Sequence, residues 1–411
     1  MMVRLILVLL VLPACLLASC SARWRAPAVP EGLTDQVLLL NNPAIRTGSD
    51  YVSAPFIEEI ASAIRAEVAY QRSLGHNGTL PPTSMLAISG GGSYGAYGAG
   101  ILCGWTTRGN RPDFSIVTGI STGALTAPFA FAGPQYDAKL RRVYTTVTTA
   151  DLILFRGIFT ALTDDSAFDT GPLRRMMEEL IDQQMMQDIA SEYAKGRILL
   201  VGTCDLDASR AVVWNLGLIA KISCEGNPDA LRLFHDVLMA SAAIPGAFPP
   251  IMIDVVIDGK KFQEMHVDGG TKTQVFLYPP SFNLRAEAEA RGIVRDRSAY
   301  IIRNAREVPT WESVPRRTTA VARRSIGALI HTHGLGDLFR IYLIAQRDKV
   351  DFNLAAIPDT FTYTSNDHFD PVFMTKLFDL GYAYASRPDG YPWDKFPPGW
   401  VSGATEPPPG Q

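Results

Sequence analysis

Two segments of the chain join an apolar run to a glycine-rich turn and then to a run of small residues, and this repeated pattern limits the possible folds most. The first segment, AISGGGSYGAYGAGIL, spans residues 87–102, and the second, GISTG, spans residues 119–123 after an apolar run. A strand that passes directly into a helix is the building unit of a parallel sheet covered by helices. The sequence therefore predicts an α/β fold with both glycine turns at the carboxyl ends of strands.

The rest of the chain continues this alternation of strand-like and helix-like patterns. Strands are predicted over residues 85–89, 115–120, 197–203, 211–215, 264–267 and 299–303, and helices over residues 56–70, 96–105, 122–131, 318–346 and 370–385. We expect the helix over residues 318–346 to break near Gly334 and Gly336. No internal repeat interrupts the pattern, so we predict a three-layer α/β/α sandwich with a mostly parallel central sheet.

The composition argues against two broad classes of protein. With 47% hydrophobic and 19% charged residues among 411, the chain can bury a large core and is not mainly disordered. Its formal net charge is −3, and it has no long run of lysine and arginine. The basic pairs at residues 316–317 and 323–324 fit solvated helix faces better than a nucleic-acid footprint, so no nucleic-acid partner is expected.

The first twenty residues have the pattern of an export signal. Arg4 precedes an unbroken apolar run over residues 5–12, and the tetrapeptide LASC ends at Cys20. This ending resembles the lipobox of bacterial lipoproteins, which implies removal of residues 1–19 and attachment of lipid to Cys20. We therefore expect a cell-envelope protein that is lipid-anchored at the periplasmic side of the outer membrane. The alternative is an uncleaved membrane anchor, because residues 3–20 are long enough to span a bilayer.

The same composition predicts the domain boundaries. Residues 20–50 lack apolar periodicity and predict a tether, residues 51–395 form the folded domain, and residues 396–411, rich in proline and glycine, form a flexible tail. In an oxidising compartment Cys204 and Cys224 would be able to pair. No cysteine has the spacing of metal ligands, so no metal site is predicted.

The GISTG turn carries the strongest chemical signal. It matches the pattern G-x-S-x-G, with a strand predicted before it and a helix of small residues after it. In this context the turn is a nucleophile elbow, in which Gly119 and Gly123 relieve crowding around an exposed serine. The N-terminus of the following helix favours negative charge nearby. We therefore predict that Ser121 is a nucleophile.

Three consecutive glycines, Gly90, Gly91 and Gly92, place bare backbone at the same predicted edge of the sheet. Their N–H groups are suited to hold the oxyanion of a tetrahedral intermediate. A dinucleotide-binding loop is the alternative, because with Gly95 they also match G-x-G-x-x-G. That motif needs an acidic residue on a second strand about 20 positions later, and only Asp113, which precedes the elbow strand, lies nearby. The sequence therefore favours an oxyanion hole over a dinucleotide-binding loop.

A serine nucleophile needs a base, and the sequence offers two kinds. Among six histidines, His368 lies late in the chain, where the histidine of a lipase triad is expected. The other candidate is Asp268, which ends a predicted strand and is followed by Gly269 and Gly270. A carboxylate there would be able to exchange a proton with serine directly. From these residues alone, however, a plain turn is the simpler interpretation.

Three motifs in this order resemble those of the patatin-like phospholipases: the loop GGGSYG at residues 90–95, the elbow at residues 119–123, and the turn Asp268-Gly269-Gly270. The stretch ASAAIPGAFPP is similar to a fourth family motif, and the resemblance covers about residues 85–278. It implies an α/β/α sandwich in which Ser121 and Asp268 form a dyad beside the oxyanion loop. It also implies hydrolysis of lipid acyl esters, of phospholipase A or lysophospholipase type, without a metal or an organic cofactor.

Two residues and two alternatives stand beside this resemblance. Tyr94 occupies a loop position where many members have arginine or lysine, which weakens the expectation of anionic phospholipids relative to neutral acylglycerols. His266 lies two residues before Asp268 and fits a packed histidine better than one that tunes the dyad. The alternative functions are a Ser–His–Asp lipase and a lipid-binding envelope lipoprotein without turnover.

Overall fold

The structure is a computed structural model, and it describes residues 25–49, 51–155, 165–309, 311–365, 367 and 369–400. The predicted signal peptide, Cys20, His368 and residues 401–411 lie outside the described residues. Within the described ranges, no helix is both long and apolar enough to cross a bilayer.

The elements alternate along the chain much as the sequence predicts. The strands are β1 (Arg46–Gly48), β2 (Thr83–Ile88), β3 (Ile116–Ile120), β4 (Leu154–Phe155), β5 (Phe168–Asp169), β6 (Ile198–Asp205), β7 (Arg210–Asn215), β8 (Ile251–Ile257), β9 (Lys260–Asp268), β10 (Arg297–Arg306) and β11 (Asp351–Ile357). The helices are α1 (Ala54–Ser73), α2 (Gly95–Arg108), α3 (Thr122–Ala132), α4 (Asp137–Thr146), α5 (Thr149–Leu152), α6 (Gly171–Leu180), α7 (Gln183–Ala194), α8 (Leu216–Cys224), α9 (Pro228–Ser241), α10 (Leu284–Ala290), α11 (Thr318–Asp348) and α12 (Pro371–Ala385).

Five strands form the parallel centre of the main sheet, in the order β6–β3–β2–β10–β11. Beyond β6, the strands β7 and β1 extend the sheet antiparallel, and the β8–β9 hairpin joins through β9. Helices α1 and α11 pack on one face of the sheet, whereas α2, α3, α12 and the helices α7 to α9 pack on the other. The predicted three-layer α/β/α sandwich with a mostly parallel sheet is confirmed.

Strand β9 pairs with β6 next to the carboxyl end of β3, which places Asp268 near the GISTG turn. β6 pairs with β3 through residues 198–202 and then with β9 through residues 203–205, along the edge that β7 leaves open. β9 is antiparallel to β6, so its C-terminal end faces the C-terminal end of β3. Ile120 pairs with Gly202, and Asp268 pairs with the next residue of β6, Thr203. The turns that follow β3 and β9 therefore meet.

The small residues after the first glycine turn are explained by helix packing. Within α2, a Cβ atom on Gly100 would lie 2.1 Å from the carbonyl oxygen of Phe378, and one on Gly104 would lie 2.4 Å from that of Tyr382. Helices α2 and α12 therefore approach backbone to backbone, which larger side chains would prevent. This contact fixes the helix that follows the glycine turn.

The two terminal segments pack more closely than the predicted tether and tail. Ile45 is fully buried, and β1 pairs with β7, whose edge would otherwise be open. At the other end of the chain, the rings of Trp400 and Tyr342 lie 4.8 Å apart. Residues 25–49 and 396–400 thus pack on the folded domain, because burial of apolar side chains and edge pairing offset the loss of chain freedom.

Helix α11 differs from its prediction because it does not break. It runs through Gly334 and Gly336 without interruption. A glycine inside a helix destabilises it by only about 1 kcal/mol relative to alanine, which packing can offset. At Gly334 the reason for glycine is space, since a Cβ atom there would lie 2.7 Å from the guanidinium of Arg303.

The three described cysteines are free thiols. Cys204 is buried in β6, whereas Cys224 is exposed at the end of α8, so the pairing considered from the sequence does not form. Burial raises the pKa of Cys103 to about 12 and that of Cys204 to about 11. Both thiols therefore stay protonated near neutral pH and act as small apolar side chains.

Candidate active site

Ser121 lies in the turn between β3 and α3 in a strained backbone conformation. Its φ is 55° and its ψ is −126°, a combination that residues other than glycine rarely adopt. The flanking glycines are required by space: a Cβ atom on Gly119 would lie 2.4 Å from the carbonyl oxygen of Gly123, and one on Gly123 would lie 2.2 Å from that of Ile88. The turn therefore has the geometry of a nucleophile elbow.

Asp268 ends β9 directly opposite the elbow. The hydroxyl of Ser121 donates a hydrogen bond of 2.6 Å to Oδ2 of Asp268, and each residue is 6% exposed. The N–H of Gly270 donates to the other carboxylate oxygen at 2.7 Å. Between them, a Cβ atom on Gly269 would lie 2.5 Å from the carbonyl oxygen of Gly202. The fold thus brings together the two residues that the sequence predicts as nucleophile and base.

The carboxyl group of Asp268 has an unusual proton affinity. Burial raises its pKa to about 6, although the hydrogen bonds from Ser121 and Gly270 act in the opposite direction. Within the described part of the chain, no cation contributes to this shift. A carboxylate with such a pKa is a stronger base than an ordinary aspartate and is still ionised at neutral pH. Asp268 is therefore suited to accept the proton of the Ser121 hydroxyl.

The three glycines of the loop differ in what their N–H groups contact. The N–H of Gly90 donates to the carbonyl oxygen of Gln274 at 3.1 Å. This N–H group is therefore not free to bind an oxyanion, contrary to the prediction for Gly90. Among the described residues, the N–H groups of Gly91 and Gly92 have no hydrogen-bond acceptor. The candidate oxyanion donors are therefore Gly91 and Gly92, together with the N–H of Thr122 at the start of α3.

Gly91 and Gly92 are glycines for two different reasons. At Gly91, where φ is 156°, a Cβ atom would lie 2.2 Å from the carbonyl oxygen of Asn304. At Gly92, where φ is 55°, no heavy atom lies within 4 Å of such an atom, so conformation rather than space requires glycine. This open side of Gly92 faces the cavity that also contains Ser121. A substrate oxygen can therefore approach the backbone there.

Asn304, near the carboxyl end of β10, is hydrogen-bonded to the residues on both sides of the glycine loop. This role was not predicted from the sequence. Its N–H donates to Oγ of Ser89 at 2.8 Å, and its side-chain amide donates to the carbonyl of Ser89 at 2.9 Å. Its Oδ1 accepts from the N–H of Gly98 at 3.1 Å, and the residue is 1% exposed. These partners lie more than 200 positions away in the sequence, so no local pattern reveals them.

Gln274 joins the glycine loop to the turn after Asp268. Its carbonyl oxygen accepts from Gly90, and its side-chain amide donates to the carbonyl of Gly270 at 2.7 Å. Its own N–H donates at 2.7 Å to the carboxylate of Asp337 in α11. Because one residue fixes both turns and anchors them to a helix, Gln274 is a positioning residue of the site. Apart from its place six residues after Asp268, no pattern in the sequence identifies it.

Ser241, the last residue of α9, holds the elbow from the other side. Its hydroxyl accepts from the N–H of Ser121 at 3.0 Å and donates to the carbonyl of Gly202 in β6 at 2.7 Å. Ser241 is fully buried. It lies in the stretch ASAAIPGAFPP, so the sequence resemblance is the signal that could have identified it. Its hydrogen bonds keep the elbow in place relative to the sheet.

An apolar cavity of about 60 Å³ opens beside Ser121. Leu125, Ile244 and Phe248 are among the side chains that line it. Tyr94, which replaces the basic residue of many family members, does not line this cavity but packs edge-on against Phe373, with ring centroids 5.2 Å apart. The surroundings of the serine therefore suit an acyl chain better than a charged group.

His266 is fully buried and belongs to a structural network. The indole N–H of Trp214 donates to Oγ1 of Thr203 at 2.8 Å, and that oxygen lies 3.0 Å from Nδ1 of His266. Nε2 of His266 lies 3.1 Å from the carboxylate of Glu264 and donates to it, because an ionised carboxylate can only accept. The packed role expected for His266 agrees with this network.

Histidines and metals have no visible part in the described site. Among the described residues, no histidine is hydrogen-bonded to Ser121 or Asp268. The same part of the chain contains no group of three His, Cys, Asp or Glu residues placed to hold a metal ion. His368, the histidine considered for a triad, lies outside the described residues. The described geometry therefore joins the serine to a carboxylate.

A family model matches the part of the chain that contains the site. A family model described as Patatin-like phospholipase matches residues 86–278. None of the curated proteins matches the sequence. Among solved structures, the chain is similar to the crystal structure of VipD from Legionella pneumophila, with 11% identity and a TM-score of 0.33, and the match covers 73% of this chain and 65% of VipD. The matched residues 86–278 contain the glycine loop, the elbow and the Asp268 turn.

Proposed function

Because residues 86–278 belong to the patatin-like phospholipase family, we propose that the protein is a serine hydrolase that cleaves acyl esters of lipids, of phospholipase A or lysophospholipase type. Membership of the family supports lipid acyl hydrolysis in general. The finer proposal is that the reaction runs through a dyad of Ser121 and Asp268. The observation that carries it is the hydrogen bond of 2.6 Å from the Ser121 hydroxyl to a buried carboxylate whose pKa is raised to about 6.

The reaction begins with attack of Ser121 Oγ on the ester carbonyl carbon. Asp268 accepts the hydroxyl proton as the new carbon–oxygen bond forms. The carbonyl oxygen becomes an oxyanion, which accepts hydrogen bonds from the N–H groups of Gly91 and Gly92. Collapse of this intermediate breaks the ester bond, and the proton on Asp268 passes to the departing alcohol. The acyl group is left on Ser121.

Water then hydrolyses the acyl-enzyme by a second addition and collapse. Asp268, again ionised, accepts a proton from a water molecule, which attacks the acyl carbon and forms a second oxyanion at the same N–H groups. When this intermediate collapses, the proton returns to Oγ of Ser121 and the carboxylic acid departs. One carboxylate thus acts as base and acid in turn, which its pKa near 6 favours.

The proposed substrate class follows from the lining of the cavity. Apolar side chains such as Leu125 and Phe248 lie around Ser121 and suit an acyl chain. Tyr94 provides no positive charge at the loop, which favours neutral acylglycerols or zwitterionic lipids over anionic ones. We further propose that lipid attached to Cys20 holds the enzyme at the periplasmic side of the outer membrane, where such esters are present.

The test is hydrolysis of a short-chain nitrophenyl ester and of mixed phospholipid vesicles by the purified chain. Wild type is compared with Ser121→Ala, Asp268→Asn and His368→Ala, and Ser115→Ala at the entry to the same strand is the matched serine control. We expect loss of hydrolysis in the first two variants only. Activity that survives in Asp268→Asn but disappears in His368→Ala would replace the dyad with a triad. Absence of turnover by wild type on any ester would favour a lipid-binding lipoprotein.

A further inference from the structure

Helix α11 has two halves with different surroundings. From Gly334 to Asp348 it contributes the buried residues that pack under the sheet. From residue 318 to residue 333, by contrast, no side chain is buried. We call residues 311–333, which comprise this exposed half and the segment before it, the arm.

The arm projects from the edge of the sheet that carries the active site. β10 is parallel to β2 and β3, so the chain leaves β10 at the same edge as Ser121. The helix returns to the sheet where Arg303, near the end of β10, contacts Gly334 and donates to the carbonyl of His331 at 3.3 Å. The helical residues before that point, 318–330, therefore extend about 20 Å beyond the strand ends.

The exposed face of the arm is apolar. Ile326, Leu329 and Ile330 follow one another at helical spacing, so they share one face, and they are 56%, 62% and 45% exposed. Val321 is half exposed, and Trp311 is 88% exposed. An exposed aliphatic helix face with an exposed tryptophan nearby in the sequence is typical of segments that enter the headgroup region of a bilayer.

The charge of the arm indicates what covers this face. It contains four arginines and a single glutamate, with no lysine or aspartate, whereas the whole chain is negative. Arg323 and Arg324 lie beside Glu312, and Arg316 and Arg317 are exposed at the start of the helix. A second arm laid against the first would bring the arginines of both copies together, and like charges repel. Anionic lipid headgroups would complement the arm, because arginines just outside the apolar layer attract them.

The other end of the described chain lies at the same edge. Arg25 is held by Asp207, in the turn after the carboxyl end of β6, at 2.7 Å. β6 and β10 flank β3, and three strand spacings of about 5 Å separate them. Arg25 and the start of the arm therefore lie on opposite sides of Ser121. Arg25 and the arm would therefore both face a bilayer placed over the active-site edge of the sheet.

We propose that the arm is an interfacial membrane-binding element that docks the active-site edge onto a bilayer with anionic lipids. The aliphatic face and Trp311 enter the headgroup region, and the arginines contact lipid phosphates. This docking is separate from the proposed hydrolysis, because it is a binding event that does not need turnover.

The experiment measures partition of the full chain onto phosphatidylcholine vesicles with and without about 30% phosphatidylglycerol. Every protein carries Cys20→Ser, which removes the lipid attachment, and Ser121→Ala, so that no lipid is consumed. The contribution of residues 1–24 is common to all of them and does not affect their ratios. The arm variants are Leu329→Ala with Ile330→Ala, and Arg316→Gln with Arg317→Gln, which keep helix-forming residues.

We expect phosphatidylglycerol to increase binding by about tenfold or more, and the arginine variant to lose most of that increase. The aliphatic variant should bind both vesicles about tenfold more weakly. The matched controls are Leu343→Ala, 59% exposed in the packed half of α11, and Arg232→Gln, exposed on α9. Both should bind like the parent protein.

Three outcomes would overturn the proposal. The first is equal binding by the parent and both arm variants, and the second is binding that ignores phosphatidylglycerol. The third is a change in sedimentation mass, rather than in vesicle binding, on substitution of Leu329 and Ile330, which would assign the face to a second copy. Hydrolysis of a soluble ester by arm variants with Ser121 intact should match wild type, so failure of docking and failure of the proposed reaction are distinguishable.

Discussion

Strand β9 carries two buried carboxylates four residues apart that differ in their proton affinity. Glu264 is 1% exposed and Asp268 is 6% exposed, so both are largely removed from solvent. Burial raises the pKa of Asp268 to about 6. Burial would also raise the pKa of Glu264, but the charge of Arg46 and hydrogen bonds from His266 and Arg46 lower it to about 2. The partners of a buried acid, and not its depth, therefore decide its proton affinity.

The two environments fit two tasks. Glu264 forms a bidentate ion pair with Arg46 of β1, in which Nη2 lies 2.8 Å from Oε1, and this pair attaches the N-terminal segment to β9. Among the described residues, the carboxylate of Asp268 accepts hydrogen bonds only from neutral donors, the Ser121 hydroxyl and the Gly270 N–H. A permanent cation would stabilise its ionised form and make it a weaker base. One carboxylate therefore holds the strand, and the other is left able to take a proton.

The largest expected effect is the difference in hydrolysis between variants of Asp268 and Glu264. Asp268→Asn should lower kcat by about 1000-fold or more, because the amide cannot accept the serine proton. Glu264→Gln, four residues away on the same strand, should change kcat less than about threefold, since it touches no reacting atom. Ester hydrolysis by both variants, with circular dichroism spectra to confirm folding, checks the contrast. Equal losses in the two variants would contradict the division of roles.

The second prediction concerns stability. Arg46→Met leaves the carboxylate of Glu264 buried without its cation and should lower the free energy of unfolding by about 3 kcal/mol. Urea unfolding measured at neutral pH checks this value. Adding Glu264→Gln to Arg46→Met should recover part of the loss, because the uncompensated charge is then gone. A single variant as stable as wild type would show that the pair does not hold the segment.

The third prediction uses the pH dependence of stability. The folded pKa of Asp268, about 6, lies above the ordinary value of 3.8, so the protonated group favours folding. Its contribution is fully present below about pH 4 and is lost as the pH rises through about 6. Relative to wild type, Asp268→Asn should therefore gain up to about 3 kcal/mol of stability between pH 4 and pH 7. Unfolding of both proteins across this range measures the difference, in which other groups cancel.

Sequence patterns could identify the residues that lie in glycine turns, because their signal is local. Ser121 follows β3 between Gly119 and Gly123, and Asp268 ends β9 beside Gly269; a Cβ atom on any of these three glycines would meet backbone. The fold class was equally accessible, since alternation of strands and helices needs no knowledge of contacts. The contact between the Ser121 turn and the Asp268 turn was not predictable in the same way, because it depends on the pairing of β9 with β6.

The supporting residues were not predictable because their partners are distant in the sequence. Arg46 and Glu264 are separated by 218 positions, and Asn304 lies 215 positions from Ser89. The lack of periodicity over residues 20–50 predicts a tether, yet residues 46–48 form β1, which pairs with the edge of β7. Such pairings depend on which edges the folded sheet leaves exposed, and no local pattern encodes that.

The smallest expected effect tests whether the absence of a cation sets the basicity of Asp268. For wild type, kcat/KM should fall as the pH drops below about 6, because protonated Asp268 cannot act as a base. Ile244 lines the cavity with Ser121 and is 39% exposed. Ile244→Lys would place a positive charge there, as Arg46 does beside Glu264, and should shift this acid limb downward by about half a pH unit.

The control for that shift is Ile244→Met, which has a neutral side chain of similar reach and should keep the acid limb of wild type. A lysine variant whose limb stays near pH 6 would mean that another group controls the pH dependence. A downward shift in the lysine variant alone would show that a nearby cation lowers the pKa of Asp268, as Arg46 lowers the pKa of Glu264. The same substitution should also slow the reaction above pH 7, where wild-type Asp268 is fully ionised, because the base would be weaker. Lower basicity and a lower acid limb must therefore appear together if the neutral surroundings of Asp268 are what make it reactive.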